Sequence, residues 1–334
     1  MKIHNKISSM LLLGCLSLVF PACHDDGGGN TSLRNDCLKW SVGPNMAGMD
    51  IEFVYAVALP YGTGRIVSVQ AEASIAGDAG TWMEHHSYYT DPNGQVDTPV
   101  PVGAPSVTDG QTTTVDFVAD TCAATLRYYY RVPEEAKGRQ VSFTFSATAS
   151  NGEQVSYGMG PYPVSIMDMQ LDLALTSANC YISIEDMAIY NAASAATIPD
   201  KIDLVYLFRN YNSQGITFQH ALTAPAADAQ YRPNLTIPVE LYRNTRIRKG
   251  GLKDAHLARL HLKTPPEPQP AVFVDDIDLM SVDLSDMPNF ALNFIKDDGA
   301  WIETHDGKYR AFIYFNSVRP IAGATISIKR ISVR

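Results

Sequence analysis

Between Trp82 and Gly94 the chain reads WMEHHSYYTDPNG, flat rings interleaved with groups that give and take hydrogen bonds. An aromatic face stacks on the C–H face of a sugar while carboxylates and amides read its hydroxyls, so Trp82, Glu84, His85, Tyr88 and Tyr89 form a candidate site for a glycan or a peptide. The competing structural role is a roof over the core below. His85 and His86 are neighbours, and on a strand they should point apart, which argues against a shared metal ion. A second chemical feature runs from Arg243 to Lys263, where Arg243, Arg246, Arg248, Lys249, Lys253, Arg259 and Lys263 face the single acid Asp254. Arg243, Arg246, Arg248 and Lys249 are therefore candidates for binding an anion, such as an acidic glycan or a phosphate. Alternatively, they neutralise nearby acids such as Asp275 and Asp276.

No catalytic signature accompanies these segments. The chain lacks G-x-S-x-G, H-E-x-x-H and a phosphate-binding glycine loop. Asp275, Asp276 and Asp278, and separately Asp297 and Asp298, are acid clusters without the D-x-[DN]-x-[DN]-G frame that wraps calcium. Cys37, Cys122 and Cys180 have no C-x-x-C or Cys/His spacing for zinc. Neither a cofactor nor a metal is expected. Cys37 and Cys122 would pair if their strands lay side by side; otherwise they are buried thiols.

The 334 residues, 46% apolar and 18% charged, suffice for two domains of ~150 residues each. With 26 basic and 35 acidic residues the formal charge is −9, the wrong sign for a general nucleic-acid binder. Lys2 and Lys6 precede an apolar run from Met10 to Phe20, which is too short to span a bilayer stably. The run stops at Pro21-Ala22-Cys23, ahead of His24-Asp25-Asp26 and three glycines. This resembles a Bacteroidetes-type lipoprotein signal, which implies residues 1–22 as signal peptide, lipid on Cys23 and an acidic export signal after it. A rival cleavage before Cys15 would leave Leu16 to Phe20 as an exposed apolar tail. Residues 23–36 read as a tether.

From Cys37 onward the period is two. Asp50–Leu59, Gly64–Ile75, Thr112–Phe117, Ala124–Val132 and Gln140–Ala149 read as strands, with Asn151-Gly152 as a hairpin turn. Short strands at this spacing predict an all-β-dominated chain of two tandem antiparallel β-sandwiches, residues 37–166 immunoglobulin-like and residues 167–334 a second sandwich with a small helical insertion. In that second part Met187–Ala196 is expected as the helix, opened by a cap at Ser183–Asp186. Strands are expected at 201–209, 215–222, 235–242, 271–280, 300–304, 309–317 and 324–333. Ala311, Ile313 and Phe315 should face one way and Phe312 and Tyr314 the other, both faces being covered. Met167-Asp168-Met169-Gln170 carries no strong signal tying the halves together, so two separately folding pieces are expected.

The stretches CAATLRYYY from Cys122, FTFSATASNG from Phe143, KIDLVYL from Lys201, AHLARL from Ala255 and GKYRAFIY from Gly307 resemble a family of surface lipoproteins from gut Bacteroidales. The resemblance implies an address, the outer membrane and its outer surface, and no particular reaction. Together with the residues above it leads to a lipid-anchored, non-enzymatic protein that binds an extracellular glycan or protein partner. A structural or anchor subunit of a surface fibre is the second reading, and a glycan-active hydrolase the third.

Overall fold

Alternation at two-residue spacing sorts each strand into a core face and a second face, and the computed structural model realises it strand by strand. It describes residues 32–90, 92–94, 97–213, 216–232, 235–250 and 274–333. In the first half the strands are β1 (Arg34–Lys39), β2 (Asp50–Ala58), β3 (Ile66–Ala73), β4 (Trp82–Met83), β5 (His86–Thr90), β6 (Asp97–Pro101), β7 (Val107–Asp109), β8 (Thr112–Asp116), β9 (Ala123–Arg131), β10 (Gln140–Ala149) and β11 (Gln154–Pro163). They form a sheet in the order β1-β2-β9-β4, a sheet in the order β11-β10-β3-β8-β7, and the separate hairpin β5-β6, antiparallel throughout. Phe53 and Tyr55 from the first sheet meet Phe143 and Phe145 from the second, with Phe53 and Phe143 ring centres 4.7 Å apart. Buried aromatic area of this kind dominates the stability of a sandwich core.

The second half contains β12 (Asp168–Leu175), β13 (Asn179–Ser183), β14 (Ala188–Asn191), α1 (Ala192–Ala195), β15 (Leu204–Ser213), β16 (Ile216–Thr223), β17 (Arg246–Gly250), α2 (Asp276–Ser281), β18 (Phe290–Leu292), β19 (Gly299–Glu303), β20 (Tyr309–Val318) and β21 (Ala324–Ser332). Its sheets run β12-β21-β20-β19-β17 and β14-β13-β15-β16-β18. Ala311, Ile313 and Phe315 face the core between them, while Phe312 and Tyr314 enter a separate apolar cluster on the other side of β20. A buried polar network ties the β20–β21 turn to β15 and β16. His220 Nε2 donates to the Arg319 carbonyl (2.9 Å), Tyr206 Oη donates to Nδ1 (2.7 Å), and the Gly323 N–H donates to Tyr206 Oη (2.9 Å).

Three local expectations are corrected. Ser183 to Asp186 opens no long helix: Ile189 and Tyr190 pair with β13, and α1 is a single turn capped by Asn191, whose side chain accepts from the Ser194 N–H. Residues 235–242 contain no strand; Pro238 has no N–H to give a ladder and leads into a 3-10 turn at Val239–Leu241. The stretch expected as a strand at 271–280 ends as helix α2, because Asp275 and Asp278 form a reciprocal capping box that satisfies its first N–H groups. Of the two alternatives for Cys37 and Cys122, the free thiols hold, Cys37 buried and Cys122 half-buried, since β2 lies between β1 and β9 and keeps the two segments two strand spacings apart. Burial pushes the Cys37 thiol up to about 12, so it is an inert core group.

The junction is more than a linker. Ser32–Arg334 forms one compact unit. Asp168 accepts from Lys137 of the first half and, at 2.9 Å, from Arg330 Nη2 of the second. Burial would raise its carboxyl, but these two cations hold it below the usual range. Asp276 on α2 accepts from Ser165 Oγ and from the Ile166 N–H (3.0 Å). Met46 of the first half and Met167 join Val274, Leu279, Phe312, Tyr314 and Ile331 in the third apolar cluster. Gly299 lets Phe312 seat there: a Cβ on that glycine would lie 2.2 Å from the Phe312 ring.

Candidate functional site

Outward-facing side chains of β1, β2, β9 and β4 build one continuous surface, and register fixes which of them are neighbours. Trp82 stands opposite Tyr129, Val54 opposite Arg127, and Ala56 and Ala58 opposite Thr125 and Ala123. Trp82 and Tyr129 stack with ring centres 4.9 Å apart and planes 10° from parallel, and Trp82 keeps 43% of its surface exposed. Trp82 therefore does not roof the core. Its neighbour Met83 does, at 0% exposure, as the strand period requires.

Glu84 continues the ladder through its N–H to the Arg127 carbonyl (2.8 Å) and is buried. Its Oε1 accepts from Tyr129 Oη (3.2 Å), whereas Oε2 has no hydrogen-bond partner. Burial first, then the Glu84 charge, pushes the Tyr129 hydroxyl up to about 12, so it remains a donor and pins the stack. At His85 the chain bends away. β5 and β6 pair only with each other, as a two-stranded arm separate from the sheet, and Pro99 and Pro101 leave β6 without two N–H groups for any further strand. The bend corrects the expectation for the two histidines: their rings lie 4.1 Å apart rather than on opposite faces. Among the described residues, no group of three or more His, Cys, Asp or Glu is placed to hold a metal.

The arm lies against the sheet. Thr125 N–H donates to Ser87 Oγ (2.9 Å), and the Arg127 guanidinium sits 4.3 Å from the Tyr88 ring centre. Between arm and sheet opens a cavity of about 570 Å³, lined by Tyr88, Tyr89, Arg34, Asp36 and the methyl groups of Ala58 and Ala123. Tyr89 is 56% exposed. Of the five residues expected here, Trp82, Tyr88 and Tyr89 therefore present rings, Glu84 positions Tyr129, and His85 forms the bend. Sequence reasoning missed Arg127 and Tyr129, although Leu126, Tyr128 and Tyr130 alternate with them as core residues.

The basic segment is matched by acids. Arg243 Nε donates to Asp203 Oδ1 (2.9 Å) and Nη2 lies 3.4 Å from Asp306. Arg246 pairs with Glu303 (2.8 Å) and Lys249 with Asp298 (2.9 Å), Lys249 also donating to the Asn293 carbonyl. Arg248 is exposed on β17; hydrogen bonds from the Ser285 N–H and hydroxyl hold the Asp283 carboxyl low, with Arg248 and Arg310 adding to them. The matching acids are thus Asp203, Asp306, Glu303 and Asp298, in place of Asp275 and Asp276, which cap α2 and hold the junction. Lys253, Arg259 and Lys263 lie outside the described residues, as do Cys15 and Cys23. No helix among the described residues is long and apolar enough to cross a membrane.

No curated protein matches the chain. A crystal structure of a DUF4466 family protein from Parabacteroides merdae is 40% identical, covers 91% of this chain and 99% of its own, and superposes with a TM-score of 0.80. A C-terminal fragment of a major pilin of Streptococcus agalactiae is 10% identical over 57% of this chain and 74% of its own (TM-score 0.28). The major pilin subunit of Bacillus cereus is 12% identical over 58% and 60% (TM-score 0.29). At those scores neither pilin bears on what this chain does. Two domain-of-unknown-function models match end to end, one (DUF8576) over residues 165–333 and the other (DUF4466) over residues 30–164. With the first sandwich, its aromatic face and the second sandwich all inside the aligned length, the chain belongs to the DUF4466 family.

Proposed function

We propose that this is a lipid-anchored cell-surface protein that catalyses no reaction and holds an extracellular glycan on the outer face of its first sandwich. The observation that carries the reading is the exposed Trp82 stacked on Tyr129, on the same outer sheet face as an open cavity with a tyrosine wall further along. Rings held upright by a sheet lose little entropy on binding, and they offer the apolar faces that sugars stack on. The partly exposed Leu38 and Trp40 extend the same surface. Arg243, Arg246 and Lys249 are each paired with an acid of their own sandwich, which favours the outer face of the first sandwich over the β17 segment as the binding surface.

Residues 32–334 should be retained by immobilised polysaccharide, and Trp82→Ala should abolish most of that retention while moving the melting midpoint little. Contact anchors dominate such sites, and an exposed substitution costs ~0.5 kcal/mol or less. A large loss of stability in Trp82→Ala, or retention unchanged, would sink the reading. For the anchor, Cys23→Ala in the full-length chain should release the protein from the membrane fraction. Mass spectrometry finding lipid on Cys15, or on neither cysteine, would overturn that part alone.

A further inference from the structure

We propose that the cavity between the β5–β6 arm and the outer face of β1, β2 and β9 seats one or two neutral sugar rings, with Asp36 and Arg34 reading adjacent hydroxyls opposite Tyr88 and Tyr89. The proposal rests on the glycan reading and names its seat and ligand class. The 570 Å³ volume falls within the ~300–1,000 Å³ of small-ligand sites. Its floor is open because Ala58 and Ala123, paired across β2 and β9, bring only methyl groups where Trp82 and Tyr129 fill the same face further along.

Asp36 and Arg34 stand two residues apart on β1, opposite Ala56 and Ala58, and so project from one face of the strand. A carboxylate that only accepts and a guanidinium that only donates are complementary to a pair of neighbouring hydroxyls, each of which does both. One face of Tyr88 is taken by Arg127, and Tyr89 is the more exposed ring.

Charge selects the class. At the cavity Arg34 is offset by Asp36, and Arg127 beside Tyr88 by Glu84 and Asp97, while the whole chain carries −9, so a polyanionic glycan is repelled at long range and meets no net positive charge locally. A peptide is disfavoured by the floor itself. The cavity opens on the side-chain face of the sheet, where β2 is paired on both sides by β1 and β9, so a peptide adding itself as a strand would have to use the outer edge of β1 or β9 and not this floor.

The test uses residues 32–334 in affinity electrophoresis through neutral polysaccharides (mannan, mixed-linkage glucan, galactan) and acidic ones (polygalacturonate, hyaluronan), with casein peptides as competitor. The variants are Ala58→Trp, which fills the floor from an exposed position, Asp36→Asn, and Trp82→Ala as reference. Retention by a neutral polysaccharide, weakened about tenfold or more by both Ala58→Trp and Asp36→Asn at unchanged melting midpoint, is the expected result. Loss in Trp82→Ala with full retention in Ala58→Trp and Asp36→Asn overturns the cavity as seat and leaves the outer-face reading standing. Retention by acidic polysaccharides only, or displacement by casein peptides, overturns the ligand class. If no polysaccharide retains the unaltered protein, both readings fall together.

Discussion

Arg243→Ala is expected to destabilise the protein by ~3–5 kcal/mol, the cost of leaving a buried charge without its partner. Asp203 is 1% exposed, and its two oxygens are held by Arg243 Nε and by the Ile184 N–H (2.9 Å). Arg243 also donates to the Asp200 carbonyl and approaches Asp306, so one guanidinium joins three segments. Burial already pushes the Asp203 carboxyl up to about 6 against the pull of Arg243. Removing the cation raises it further. A carboxyl raised in the folded state takes up its proton before the unfolded chain does at ~3.9, so the folded form gains as pH falls between those values. The deficit of Arg243→Ala should therefore be largest near neutrality and shrink toward pH 4, and Asp203→Asn in the same chain should recover part of it. Urea denaturation at pH 7.5 and 4.5 measures both effects. Arg248→Ala, on the exposed side of β17, should stay within ~0.5 kcal/mol of the parent. Equal effects for the two arginines would mean that the Asp203 pair is no structural element.

That contrast marks where sequence reading stops. Arg243, Arg246, Arg248 and Lys249 look alike in one dimension, and only their partners tell them apart: Asp203 lies 40 residues before Arg243, and Glu303 lies 57 after Arg246. Alternation, by contrast, is a local property. In the strand expected at Gln140–Ala149 it puts Val141, Phe143, Phe145 and Ala147 in one core, and it splits Phe312 and Tyr314 from Ile313 and Phe315. Short apolar runs between acids were ambiguous, and at Asp275 the side chain's competition for backbone N–H groups decided for helix. The candidate site was half legible. Trp82, Tyr88 and Tyr89 announce themselves by composition, but the cavity needs β1 and β9, and Tyr129 reaches Trp82 only through the pairing of β4 with β9.

Met46→Ala should cost ~2–5 kcal/mol and loosen the second sandwich although the residue belongs to the first half. Met46 is 1% exposed and shares its cluster with Phe312, Tyr314 and Ile331, the outer face of β20 and β21. That face is apolar because it is covered: α2 lies on it through Leu279, and the junction residues Ile166 and Met167 complete the cover. Asp276 then fastens α2 to residues 165 and 166, so the cover and the junction are one structure. Truncating Met46 opens a cavity in the cluster it shares with Phe312, whose ring cannot fill it because Gly299 and Trp301 pack against it from the neighbouring strand. Amide hydrogen exchange reports the location. Protection should fall in 310–315 and 326–331 more than in 141–147, and chemical denaturation of residues 32–334 should still show a single transition. The independent folding expected of the two halves makes the opposite forecast, with exchange changing only in the first sandwich and residues 167–334 alone as stable as in the whole chain. The shared cluster and the Lys137–Asp168–Arg330 chain of charges favour the coupled outcome, since severing the chain at 166 removes Met46, Ile166 and Lys137 from the second half in one cut.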